Sequence, residues 1–111
     1  MKKFVIVLIL LLFTTLLYAL TYQFKTQVIS VTTSATKLPT TALVGREYVC
    51  VQNIGTATVY LGASTVTADT ASTGGRQLLP YKEWCDDYDH TVDVYGIVAS
   101  GTNNVEVEEG K

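Results

Sequence analysis

The sequence is poor in the residues on which most site chemistry depends: it has two cysteines, one histidine, one tryptophan and two prolines among 111 residues. With Cys50 and Cys85 the only thiols and His90 the only imidazole, the chain cannot complete a four-ligand zinc site unless carboxylates or a second chain contribute. A basic excess is also missing, since 8 Lys and Arg stand against 10 Asp and Glu for a net charge of -2. Phosphate backbones are bound by clustered cations, so nucleic acid is excluded as an expected partner. There is no G-x-S-x-G elbow, no glycine-rich phosphate loop opening a helix, and no cysteine and histidine with a reason to be adjacent. Nothing singles out a glycosidase-type carboxylate pair among the acids. The expectation is a protein that is not an enzyme and carries neither cofactor nor metal.

Charge is absent altogether from Phe4 until Lys25, and this absence is informative. A helix from Phe4 to Phe24 would be about 31 Å long at ~1.5 Å per residue, near the ~30 Å hydrocarbon thickness of a bilayer. Lys2 and Lys3 also form the positive n-region of a signal peptide, with Ala19 placed before a cut. Leu17, however, occupies the position where a cleavage site wants a small residue, and the apolar run exceeds the usual h-region. The segment 1–24 is therefore read as a transmembrane anchor, with a signal peptide as the alternative. Tyr18 and Tyr22 suit an interfacial belt, and the lysine pair favours a cytoplasmic N-terminus with the remaining domain across the membrane.

Residues 25–111 are rich in Thr, Val, Ser, Gly and Tyr, a β composition. The clearest stretch is Tyr48 to Leu61, where Val49 and Val51, then Val59 and Leu61, alternate with more polar residues around Asn53-Ile54-Gly55-Thr56. It reads as a hairpin. A second hairpin is expected from Thr91–Val98 and Asn104–Glu108, with Glu106, Glu108 and Glu109 facing solvent along a terminal edge strand. A strand near Gln27–Thr33, Val66 and Gln77–Leu79 complete the buried set, with Pro39 and Pro80 as stops. Six or seven short strands without helical periodicity predict an all-β fold: a small antiparallel β-sandwich or barrel behind one N-terminal hydrophobic helix. Cys50 and Cys85 either form a disulfide, which requires export to an oxidising compartment, or stay as two separate buried thiols.

Candidate contact residues fall in three places. The polar stretch Thr67 to Arg76, including Asp69 and Thr73, is a long loop of the kind that is often mobile or functional. Tyr81, Trp84 and Tyr88 could form an aromatic platform for a sugar or receptor, or plug the end of the sandwich. Asp86, Asp87, Asp89, His90 and Asp93 bring ligand atoms together but match no calcium loop, so a solvated polar turn is the plainer reading.

From about Leu43 to Glu109 the phrases VCVQNIGTATVYLG, QLLPYKEW and VDVYGIVASGTNNVEVEE resemble small β domains of bacteriophage virion proteins, in fibre, spike and capsid-associated components. Where those domains often carry Pro-Gly-Glu, this chain has Pro80-Tyr81-Lys82-Glu83. The resemblance implies a structural protein of a virus particle. The apolar segment adds a particle with a membrane, lipid contact through Phe4 to Phe24, and a β domain that meets capsid or vertex proteins as a homo-oligomer or symmetric assembly. The interaction surface expected on that reading comprises Thr67, Asp69, Thr73, Arg76, Tyr81 and Trp84. The alternative is an exported or membrane-anchored bacterial surface module, periplasmic or extracellular, that binds a glycan or protein.

Overall fold

An extended segment satisfies its backbone groups by pairing with a neighbouring strand, and among the described residues eight segments do so. They are β1 (Phe24–Val31), β2 (Thr36–Leu38), β3 (Tyr48–Asn53), β4 (Val59–Gly62), β5 (Arg76–Leu78), β6 (Glu83–Asp86), β7 (Val94–Ile97) and β8 (Asn103–Gly110). The computed structural model describes residue 3, residues 5–9 and residues 23–111. Residues 3 and 5–9 are helical, and among the described residues no helix is long and apolar enough to cross a membrane. Most of the expected anchor, residue 4 and residues 10–22, lies outside the described residues, but its expected end does not hold: Phe24 is the first residue of β1, opposite Gly110, and Gln23 exchanges backbone hydrogen bonds with Lys111.

The strands form two antiparallel sheets, ordered β1-β8-β3-β6 and β2-β7-β4-β5, which face each other as a sandwich and not a closed barrel. The pairings β1 with β8, β2 with β7, β3 with β6 and β4 with β5 are nested, as in one long antiparallel ribbon rolled over on itself. That is the strand order of a jelly roll. Between the sheets lie Val31, Leu38, Val49, Val51, Val59, Leu61, Leu78, Val94, Val98, Val105 and Val107, all buried, with Trp84 and Tyr88 packed against their edge.

Neither expected hairpin forms. β3 pairs with β6 and β8, whereas β4 pairs with β5 and β7, so residues 54–58 carry the chain across the core from one sheet to the other. Residues 98–102 do the same between β7 and β8. An alternating pattern tells which side chains face apolar surroundings, but a strand beside its neighbour and a strand across the core produce the same alternation. Gly55 is accordingly not a hairpin-turn glycine: a Cβ there would collide with the Asn103 amide.

The two crossings are tied together by a buried amide pair. Asn53, the last residue of β3, donates through Nδ2 to Ala57 O (2.7 Å) and Leu78 O (2.9 Å), while its Oδ1 accepts from Gly55 N and from Asn103 Nδ2 (2.8 Å). Asn103, the first residue of β8, accepts from Ala57 N at 3.0 Å. Among the described residues no buried side-chain polar atom lacks a hydrogen-bond partner, as close-packed interiors require.

β8 is not an edge strand but lies between β1 and β3. Glu106 and Glu108 are half-buried on its outer face, and Glu109 is 1% exposed, contrary to the expectation that all three face solvent. Glu109 shares the parity of Val105 and Val107, and that parity directs it inward.

Candidate binding cleft

The two sheets part along one flank, where β6 ends the first sheet and the second continues through β4 and β7. There a cleft of about 340 Å³ opens, lined by Leu61, Gly62 and Ala63 at the end of β4, Arg76 of β5 and Val94 of the adjoining β7, and by Trp84 and Asp86 of β6 with Tyr88, Val92 and Asp93 from the segment that follows it. Trp84 lies on the inner face of β6, opposite Val51. It meets Tyr88 edge to face with ring centroids 5.8 Å apart and an interplanar angle of 60°, a favoured geometry for two aromatic quadrupoles.

The wall formed by residues 88–92 is held from behind by Arg46. Its Nε donates to Tyr88 O (3.0 Å), Nη2 to Val92 O (2.6 Å) and Nη1 to Glu109 Oε2 (2.8 Å). Both partners of this ion pair have side chains 1% exposed, and Leu43 N donates a further bond to Glu109 Oε2. Gly45 N donates to His90 Nδ1 at 3.1 Å. Asp89 accepts from both the backbone N and the hydroxyl of Thr91, at 2.7 and 2.5 Å. Those bonds, the hydroxyl one foremost, hold its carboxyl below the usual carboxylate range, and the neighbouring His90 and Arg46 side chains act in the same direction.

The expected contact residues divide. Arg76 and Trp84 converge on the cleft. Thr67, Asp69 and Thr73 instead close the loop on itself: Thr67 Oγ1 lies 3.0 Å from both Asp69 Oδ1 and Thr73 Oγ1, and Ala71 N donates to Asp69 Oδ1. Tyr81 is exposed at the opposite end of β6, with φ of 64° and its amide donating to Asn53 O. It therefore shares no platform with Trp84 and Tyr88. A residue with a Cβ seldom adopts this left-handed conformation.

The acids expected as one polar cluster also separate. Asp86 and Asp93 line the cleft, Asp93 also pairs with Lys37 at 3.3 Å, and Asp89 is engaged by Thr91. The group of metal-ligating atoms that does converge among the described residues is Cys50, Glu83 and Cys85. Cys50 and Cys85 are joined in a disulfide between directly opposed positions of β3 and β6, with Cα atoms 4.1 Å apart. Sequence reasoning missed Arg46 altogether. The V-x-V-x-E parity of β8 was the available signal for its partner Glu109.

Fold and cleft together define a class: a disulfide-linked, two-sheet jelly roll with an aromatic cleft on its flank. Compared with protein-family models, curated proteins and solved structures, the chain matches none of them.

Proposed function

We propose that this chain is a structural component of a virus particle, held in a lipid layer by the apolar segment that starts at Phe4 and ends before Gln23, with a β domain that contacts capsid or vertex proteins. The observation that carries the reading is the strand order β1-β8-β3-β6 over β2-β7-β4-β5. This is the rolled topology shared by viral capsid domains, and also by lectins. The support is an analogy of fold, since one fold hosts many functions. The placement of the chain ends accords with it. Gln23 pairs with Lys111 at the end of the sandwich where β1 begins, so an anchor would enter there. Ile54, Leu79 and Tyr81 are exposed near Asn53, at the other end. That end lies roughly 24 Å away at ~3.4 Å per residue along β1, and it is the surface on which we place the contact with other virion proteins.

Mass spectrometry of purified particles tests the proposal. The expected result is this chain in the particle at a fixed copy number, with Phe4 to Leu20 retained, released by detergent together with lipid, and cross-linked through the Tyr81 end to a capsid or vertex protein. Recovery from the envelope of uninfected cells, without any particle, would overturn it. The second reading, a surface module that binds a glycan or protein, is favoured by the cleft, whose Trp84 and Tyr88 rings adjoin two carboxylates and a guanidinium. Such aromatic surfaces with a few convergent polar groups are the usual chemistry of ligand sites. Saccharide-dependent quenching of Trp84 fluorescence, lost in Asp86→Asn, is its test.

A further inference from the structure

The Cys50–Cys85 bridge lies on the outer face of its sheet, because Val49 and Val51 on either side of Cys50 point into the core. Cys85 is exposed on β6, an edge strand, and so is open to a reductant. Glu83 shares the outer face two residues before Cys85, and its Oε1 lies 3.4 Å from Cys85 Sγ. The two sulfurs and a Glu83 oxygen all lie within 4.8 Å of one another. By register Glu106 and Glu108 stand on the same face, opposite Gln52 and Cys50, and no Lys or Arg occupies an outward position on the four strands of this sheet. The field over the bridge is therefore negative, which draws cations.

We propose that reduction turns this bridge into a binding site for a thiophilic divalent cation such as zinc, with the Cys50 and Cys85 thiolates and the Glu83 carboxylate as protein ligands and water as the fourth. A dithiol reductant passes two electrons and two protons to the bridge and becomes a disulfide itself. The cation then displaces both thiol protons to solvent as two metal–sulfur bonds form. Two sulfurs each about 2.3 Å from one ion are at most about 4.6 Å apart. Opposed residues on adjacent strands meet that limit by rotating side chains without moving backbone. Thiolates select the softer metals over magnesium and calcium. Cytosolic thiols are kept reduced, so a chain made there passes through the dithiol form before any bridge closes. In that interval the cation would hold β6 to β3 as the disulfide does afterwards. The site is independent of the virion reading.

The test uses the full chain in phospholipid nanodiscs, reduced with a phosphine, freed of it under anaerobic conditions, and titrated with cadmium and with cobalt. One equivalent of cadmium is expected to produce an ultraviolet thiolate charge-transfer band, and cobalt the visible bands of a tetrahedral site. Either ion should raise the melting temperature of the reduced protein but not of the oxidised one. Glu83→Gln should keep the band and weaken binding at least about tenfold, the smaller effect seen when a group that merely supports a ligand is lost. Cys85→Ser should abolish the band. The proposal is overturned if no thiolate band forms at one equivalent, or if Glu83→Gln binds as tightly as the parent chain. It is equally overturned if circular dichroism finds the reduced chain unfolded with the cation bound, because the site requires the paired strands.

Discussion

Arg46 does most to fix the shape of the cleft, since one guanidinium meets two loop carbonyls and a buried carboxylate at once. Arg46→Met should lower stability by about 3–5 kcal/mol, because it leaves Glu109 as a buried charge without its partner. The double variant Arg46→Met, Glu109→Leu should recover only part of the loss, as Tyr88 O, Val92 O and Leu43 N would still lack their bonds; urea denaturation of the three proteins measures this. Asp89 supplies a pH dependence. Its folded pKa is lowered from 3.8, so its contribution is fully present above the unfolded value and is lost as pH falls through the folded one. The difference in melting temperature between the parent chain and Asp89→Asn should therefore be constant above about pH 5 and shrink in more acidic solution. Neither role was legible from residue type alone. An arginine between Gly45 and Glu47 looks like any surface charge, and only the fold brings Tyr88, Val92 and Glu109 around it.

At the level of elements, the two crossings between sheets depend on Asn53 and Asn103. Asn103→Ala removes the acceptor for Ala57 N and the donor to Asn53 Oδ1. A buried polar group left unpaired costs about 1–3 kcal/mol, so a loss of about 2–3 kcal/mol in chemical denaturation is expected. Asn103→Asp should be little better, because a carboxylate cannot donate to Asn53. β6 is held to β3 by ladder bonds and by a disulfide closing a sequence separation of 35. Reducing it should lower stability by about 3–4 kcal/mol on the chain-entropy account, read as a shifted denaturation midpoint with and without reductant. Most strands were legible: Val49, Val51, Val59, Leu61, Val94, Val105 and Val107 all face the core as their alternation predicts, but eight strands form where six or seven were expected, β6 carries no apolar alternation to mark it, and of Gln77–Leu79 only Leu78 is buried. Their partners were not, because Asn53-Ile54-Gly55-Thr56 is turn chemistry whether the chain returns beside itself or crosses to the other sheet.

For the whole molecule, the rolled order places β8 between β1 and β3 and leaves the three-residue strands β2 and β5 at the edges of the second sheet. Amide hydrogen exchange should therefore be slowest at Val105 and Val107 and fastest, among strand residues, in β2 and β5, where local opening exposes least apolar surface; equal protection across both sheets would contradict the topology. The sequence by itself determined the β character of the chain beyond its apolar segment, most of the apolar residues that fill the core and the two cysteines available to staple it, because alternation and composition are local properties of the chain. Tertiary structure alone decided that both apparent hairpins cross the core, that Cys50 meets Cys85, that Glu109 is buried against Arg46, and that Trp84 and Arg76 share a cleft while Tyr81 stands at another end. Those facts depend on which strands lie side by side, and pairing between residues far apart in the chain is chosen by the closure of the whole core, which no local pattern encodes.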